Sequence, residues 1–229
     1  MHCRNCNNKL KDIFLDLGKC PPSNSLIRNN REKKKERAFE LITYICKKCW
    51  LVQTKDVVNK KIFFNNHYPY FSSTSSSWVQ HAKSYVYKIC RDLKINKNKL
   101  VFEIASNDGY LLQFFKEKKI PCLGIEPSMN TSRLAKKKGI KSIDEFFSYS
   151  LAKKIKNKAD LIIGNNVYAH VPNLNDFTKG IKTLLKKNGT ITLEFPHLLN
   201  LIRFSQFDTI YHEHFSYLSL LTVKNIFKK

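Results

Sequence analysis

Hydrophobic and polar positions change their period several times along this chain. Residues 39–45, Phe-Glu-Leu-Ile-Thr-Tyr-Ile, read as a strand. From residue 79 the stripe Val79, Ala82, Val86, Ile89, Leu93 has the spacing of one buried helix face, with a serine of Ser72–Ser77 as its N-cap. Short apolar runs then alternate with helical segments. Strands are expected at 100–104, 122–126, 141–143, 160–166 and 190–195. Helices are expected after residue 110 and at 128–138, 150–156 and 173–187, the last stopped by Asn188-Gly189. This alternation predicts an α/β fold, a doubly wound, mostly parallel sheet with right-handed crossovers. Ligands of such sheets lie at the carboxyl ends of the strands.

The chemistry concentrates at the first of these strands. Val101-Phe-Glu-Ile104 runs into the polar turn Ser106-Asn-Asp-Gly109, and then into Leu111, Leu112, Phe114 and Phe115 at helical spacing. Asn107 or Asp108 is the expected N-cap. Strand, tight turn and helix make a nucleotide-binding element, because the helix start offers unpaired N–H donors. The next strand ends in Glu126, an acid suited to both hydroxyls of a ribose. The three-glycine dinucleotide fingerprint is absent. Glu103, Ser106, Asn107, Gly109 and Glu126 therefore suit a single nucleoside without a pyrophosphate, such as S-adenosylmethionine. An ordinary strand–helix turn with a capping Asn is the alternative. Asn165, Asn166 and Glu194 fall at the ends of later strands, with His170 just beyond. Phe146 and Phe147 are candidates to flank adenine, and Tyr70, in an aromatic and serine-rich stretch, to form a lip over the ligand.

Cys3-x2-Cys6 and Cys46-x2-Cys49 are matched pairs, each able to hold two thiolates on one turn, and together they suit structural zinc. A zinc-binding β module is expected over residues 1–65 and the α/β domain over 66–229. Cys20, Cys90 and Cys122 lack partners at ligand spacing and are expected to be buried hydrophobes. The charged run Arg31–Arg37 is expected at a hairpin tip or mobile loop. With 41 Lys and Arg against 18 Asp and Glu, the net charge is +23. The lysines are scattered, without an arginine-rich block or aromatic platform, so solvated faces are favoured over a nucleic-acid surface. No run approaches the ~20 apolar residues of a membrane helix, and the start of the chain is polar. The expectation is a cytoplasmic protein without a membrane partner.

The last third carries His197 and the consecutive Tyr211, His212, Glu213 and His214. On a strand, His212 and His214 would share one face. Three readings stand open: a general base beside a carboxylate, structural histidines, or a metal site with His170. They rank in that order.

Phe102-Glu-Ile-Ala-Ser-Asn-Asp-Gly-Tyr-Leu-Leu112, Gly124-Ile-Glu-Pro127, Asn165-Asn-Val-Tyr-Ala-His-Val-Pro172, Glu194-Phe-Pro-His197 and Phe207-Asp-Thr-Ile-Tyr-His-Glu-His-Phe-Ser-Tyr217 recur in order in one family. With Cys3-Arg-Asn-Cys6 and Tyr68-Pro-Tyr-Phe-Ser-Ser73, they make the chain resemble the sugar C-methyltransferases of antibiotic and surface-polysaccharide pathways. The resemblance implies a zinc module, a class I, Rossmann-like methyltransferase domain binding S-adenosylmethionine, and a nucleotide-diphosphate keto-deoxysugar as substrate. It makes His214 the base held by Glu213, with Tyr211 and His170 stabilising an enolate, and places Tyr70 and His197 toward the sugar. The alternatives are an O-methyltransferase, an inactive cofactor-binding remnant and, ranked below these, a zinc-ribbon nucleic-acid binder. The family continues beyond the point matching Lys229. The resemblance therefore implies a truncated chain with its fifth parallel strand at an open edge, weak alone and completed by a separately encoded C-terminal fragment.

Overall fold

Residues 1–24, 26–55 and 69–228 are described by the structure, a computed structural model. The chain divides into two units: Met1–Phe63 with Asn166–Asn175 and Glu194–Lys229, and Phe64–Asn165 with Asp176–Leu193. The boundary expected near Asn66 lies outside the described residues, as does Tyr68.

The first unit is built on an antiparallel sheet in the order β1 (Asp12–Cys20), β2 (Phe39–Ile45), β3 (Val52–Thr54), β9 (Ser216–Tyr217). Strands β1 and β2 form a hairpin, and the charged run falls in their connection. There Asn30–Lys33 makes one helical turn, capped by the Asn29 side chain. All three residues of β3 are buried, and β3 pairs with β9 through Val52–Tyr217 and Gln53–Ser216. Leu41, Val52, Leu198, Leu201, Ile210 and Tyr217 form a small core. It joins the hairpin to residues from the far end of the chain, which is how one module draws on sequence 200 residues apart.

The second unit holds a five-stranded sheet in the order β6 (Ser142–Ile143), β5 (Cys122–Ile125), β4 (Val101–Ile104), β7 (Ala159–Asn165), β8 (Leu185–Glu194). The pairings of β4 with β5 and β7, and of β5 with β6, are parallel. The chain moves outward from β4 to β6 and then returns to the other side of β4, so the order reverses there. The carboxyl end of β4 is therefore the switch point where ligands bind. All four residues of β4 are buried. The helix Ser76–Asp92, capped as expected by the Ser75 side chain, packs through Ala82 and Val86 into a core with Leu111, Leu112 and Phe115. No helix among the described residues is long and apolar enough to cross a membrane.

Three local expectations are corrected. The helix after β4 spans Leu112–Glu117 and begins at Leu111 without a side-chain cap, so neither Asn107 nor Asp108 caps it. The turn takes more residues than expected, and both side chains find partners elsewhere. Helix Leu174–Leu184 ends early, and Asn188-Gly189 lies inside β8 rather than stopping a helix. Sheet pairing overrides the helical propensity of this lysine-rich stretch. Finally, Tyr211–His214 is a turn closed by the His214 amide donating to the Tyr211 carbonyl (3.0 Å), and strand alternation does not apply to it.

Candidate functional site

In the second unit, the turn after β4 is held by its own side chains. Ala105 (φ 60), Asn107 (φ 48) and Gly109 (φ 77) take left-handed backbone, alternating through the turn. The Glu126 carboxylate, at the end of β5, accepts from the Asn107 amide (2.9 Å) and the Ser128 amide (2.8 Å). Each oxygen keeps a further lone pair, enough for the vicinal hydroxyls of a ribose. Burial raises the Glu126 carboxyl against the opposing pull of the Ser128 and Asn107 amides. Burial, reinforced by Glu126, raises Glu103 well above the carboxylate range, against a smaller lowering by Tyr110. Glu103 is thereby disposed to hold a proton.

Asn107 and Asp108 bind the serine-rich segment instead of capping a helix. Asn107 Oδ1 accepts from the Ser72 amide (2.9 Å), and its Nδ2 donates to the Tyr70 carbonyl (3.1 Å). Asp108 accepts from the Ser73 amide and hydroxyl, with Lys138 at 3.8 Å. A stretch that composition alone reads as flexible linker is thus pinned to the turn, and the Tyr70 side chain beside it stays exposed.

The turn fits a nucleoside ligand. Among the described residues the buried Ser106 Oγ and Asp108 Oδ1 have no partner, so donors of a ligand have somewhere to go. A Cβ on Gly109 would collide with Ile140 Cδ1 and approach Ala135 Cβ to 3.3 Å. Gly109→Ala is expected to lower stability by about 1–3 kcal/mol, from left-handed strain plus this overlap, as read from a urea midpoint. A midpoint unchanged from the parent would contradict it. Asn165 ends β7 and is buried, whereas Asn166 is exposed. Phe147 stacks edge-on against Phe177 (5.1 Å) and lies under Gly180, and Phe146 beside it is half-buried.

The first unit holds the cluster of the last third. His214 Nδ1 lies 2.8 Å from the Thr209 carbonyl, an acceptor, so Nδ1 carries the proton. The Nε2 lone pair then accepts from the Tyr211 hydroxyl (2.9 Å). Burial pushes the His214 imidazolium down to about 4. His170 stacks edge-on against it at 4.6 Å and donates from Nδ1 to the Glu213 carbonyl (3.0 Å). Desolvation, with His214 adding to it, pushes His170 down to about 3. In its neutral form His170 has already used its one N–H, and an oxyanion needs a donor.

Glu213 does not hold His214 through its carboxylate. Oε1 accepts from Ser23 Oγ (3.1 Å) and Asn24 Nδ2 (3.0 Å), and burial raises this carboxyl. His212 points away as well, its Nε2 donating to the Phe39 and Glu40 carbonyls. The turn separates neighbours that strand alternation would have paired, and brings Tyr211 onto His214. Sequence reasoning missed Thr209, which orients the imidazole. Ser23 and Asn24 follow Pro21-Pro22, a sequence that signals no more than a turn. The His197 ring nitrogens lie 3.2 and 3.1 Å from the Leu199 and Leu220 amides, so this ring serves helix capping. A neutral imidazole accepts only one of them at a time.

The cysteine pairs also meet in the first unit. All four Sγ atoms lie within 4.8 Å of one another, with Cys3–Cys49 at 3.4 Å and Cys6–Cys46 at 3.5 Å. Tetrahedral zinc with ~2.3 Å bonds needs sulfurs about 3.8 Å apart, so the tetrad fits. The two turns are built alike. Asn7 N donates to Cys3 O and Trp50 N to Cys46 O, and Asn7 (φ 59) and Trp50 (φ 63) are both left-handed. The bond from the Cys3 thiol lowers the Cys49 thiol, and the same bond with burial holds Cys3 up.

Comparison with known proteins agrees with both units. Residues 3–64 match a family described as "Putative zinc binding domain", and residues 77–229 one described as "Methyltransferase domain". The chain is 30% identical over 232 residues to the C-methyltransferase NovU of Streptomyces niveus, covering 99% of this chain and 54% of that protein. It thus spans about half the length of the curated relative it matches. Among solved structures, the PH0226 protein of Pyrococcus horikoshii shares the fold at a TM-score of 0.56, with 15% identity over 69% of this chain and 84% of that one. A SAM-dependent methyltransferase of Archaeoglobus fulgidus does so at 0.51, with 19% identity over 64% and 67%. The second unit therefore has the fold of S-adenosylmethionine-dependent methyltransferases, and the first a tetrad suited to zinc.

Proposed function

We propose, from the premise that this chain belongs to the methyltransferase-domain family, that it methylates the carbon beside the ketone of a nucleotide-diphosphate keto-deoxysugar. The observation that carries this reading is the neutral His214, with its proton fixed on Nδ1 and its Nε2 lone pair against a phenol. Carbon becomes nucleophilic only when a base removes the proton alpha to the carbonyl. The likeness to a C-methyltransferase over nearly the whole chain supports the same choice.

When bound, S-adenosylmethionine supplies an electrophilic methyl group. Glu126 would hold the ribose, and the turn at Asn107–Gly109 would offer backbone to the amino-acid part. His214 Nε2 takes the alpha proton, and the C–H electron pair passes to the carbonyl oxygen. As the ketone enters, the Tyr211 hydroxyl would turn from Nε2 to that oxygen, which frees the lone pair for the proton. The enolate so formed would take the methyl group at carbon, with the S–C electron pair left on the sulfur of S-adenosylhomocysteine, and His214 would release its proton to solvent. Cys3, Cys6, Cys46 and Cys49 hold a zinc ion whose role is structural.

The test is exchange in deuterium oxide. With S-adenosylhomocysteine present and no methyl donor, the position alpha to the ketone should gain deuterium in a His214-dependent manner. A methylated hydroxyl with no exchange would replace this reading with O-methylation.

A further inference from the structure

Arg4 sits between the first two tetrad cysteines and reaches three other segments of its unit. Its amide donates to Gln53 Oε1 (2.8 Å). Nη1 donates to the Pro172 carbonyl (2.9 Å) and Nη2 to the Thr54 carbonyl (3.2 Å). The guanidinium lies over the Phe215 ring, 5.0 Å from its centroid. Thr54, on the strand that follows the second cysteine pair, donates its hydroxyl to the His214 carbonyl (3.1 Å) and its amide to the Phe215 carbonyl (3.2 Å). The Phe215 amide donates to the Ala169 carbonyl (2.9 Å), next to His170. A continuous set of bonds thus runs from the metal turn to the His214 backbone and to Ala169, the residue before His170.

We infer that Arg4 is a positioning residue for the acid–base pair, fixing through Thr54 and Phe215 where His214 and His170 stand. This rests on the role of His214 proposed above. The tetrad sets the turn that carries Arg4. The planar guanidinium then reaches two carbonyls and a ring face at once, which a lysine ammonium cannot do. Its loss leaves His214 on a turn free to shift, and a displacement of ~1 Å in a reacting group costs on the order of 10²-fold in rate. The glutamate and amide groups around Gly109 belong to the other unit, so cofactor affinity is not expected to follow.

Arg4→Lys and Arg4→Gln test the first link, and Thr54→Val against Thr54→Ser tests the last, all in the full chain. Four quantities are read: zinc content, S-adenosylhomocysteine affinity, the ¹H–¹⁵N imidazole signals of His170 and His214, and turnover. Zinc content and affinity should stay at parental values. The His214 signals should move in both Arg4 variants and in Thr54→Val, with turnover down about 10²-fold. Thr54→Ser keeps the hydroxyl and should keep parental signals and rate. Parental imidazole signals in Arg4→Lys and Thr54→Val would overturn the inference, as would loss of zinc from the Arg4 variants, which would make Arg4 a support of the metal turn alone. Moved signals in a chain whose parent transfers no methyl group would uphold the inference and sink the functional reading.

Discussion

His214→Ala should lower methyl transfer to a keto-sugar by roughly 10²–10⁴ while leaving S-adenosylhomocysteine affinity unchanged. The imidazole is the group proposed to take the alpha proton, and Thr209 fixes its tautomer so that Nε2 presents the lone pair. The residues proposed to bind the nucleoside, from Glu103 to Glu126, lie in the other unit. The pH profile supplies a second check. A base whose pKa is held down to about 4 by burial is unprotonated above that value, so its limb should be lost only as pH falls through about 4. Calorimetry with initial rates in the presence of a keto-sugar measures both effects. Parental turnover in the alanine variant would remove His214 from the mechanism.

Cys46→Ser should release the zinc ion, about one equivalent, and with it the fold of the first unit. Zinc binding in small modules contributes an apparent ~10–16 kcal/mol, comparable to or larger than the ~5–15 kcal/mol that holds a whole domain folded. The core of this unit is a small cluster around Leu41, Val52 and Tyr217, which has little to offset such a loss. Because β3 leads directly from the second cysteine pair to the pairing with β9, the turn bearing His214 should lose its support. The parallel sheet has its own core around Leu111, Leu112 and Phe115 and should keep binding S-adenosylhomocysteine. Elemental analysis and thermal unfolding decide the matter. Zinc-free parental protein with a single unchanged transition would contradict the prediction.

Raised Glu103 and Glu126 and lowered His170 and His214 share one physical cause. Each is taken out of water, and each therefore favours its neutral form. The first pair borders the turn proposed to receive a nucleoside, and the second includes the proposed base, which stays unprotonated at neutral pH.

Local pattern was enough for much of this. The alternation of short apolar runs with helical stripes determined a parallel sheet, since a buried strand and an amphipathic helix each leave a period in the chain. Glu126 and the turn at Gly109 were legible because strand ends and tight turns are local features. So were the paired cysteines, whose spacing carries the geometry of a shared ion. Contacts between residues far apart in the chain were beyond its reach. Tertiary structure alone decided that Asn107 and Asp108 clasp Ser72 and Ser73 rather than cap a helix. It made Tyr211–His214 a turn, which set Tyr211 rather than Glu213 on the imidazole. It also gave Arg4, unremarked between two cysteines, a hold on Thr54 and Phe215. Periodicity records which face of an element is buried, and the partner across the core leaves no mark in the spacing of either one.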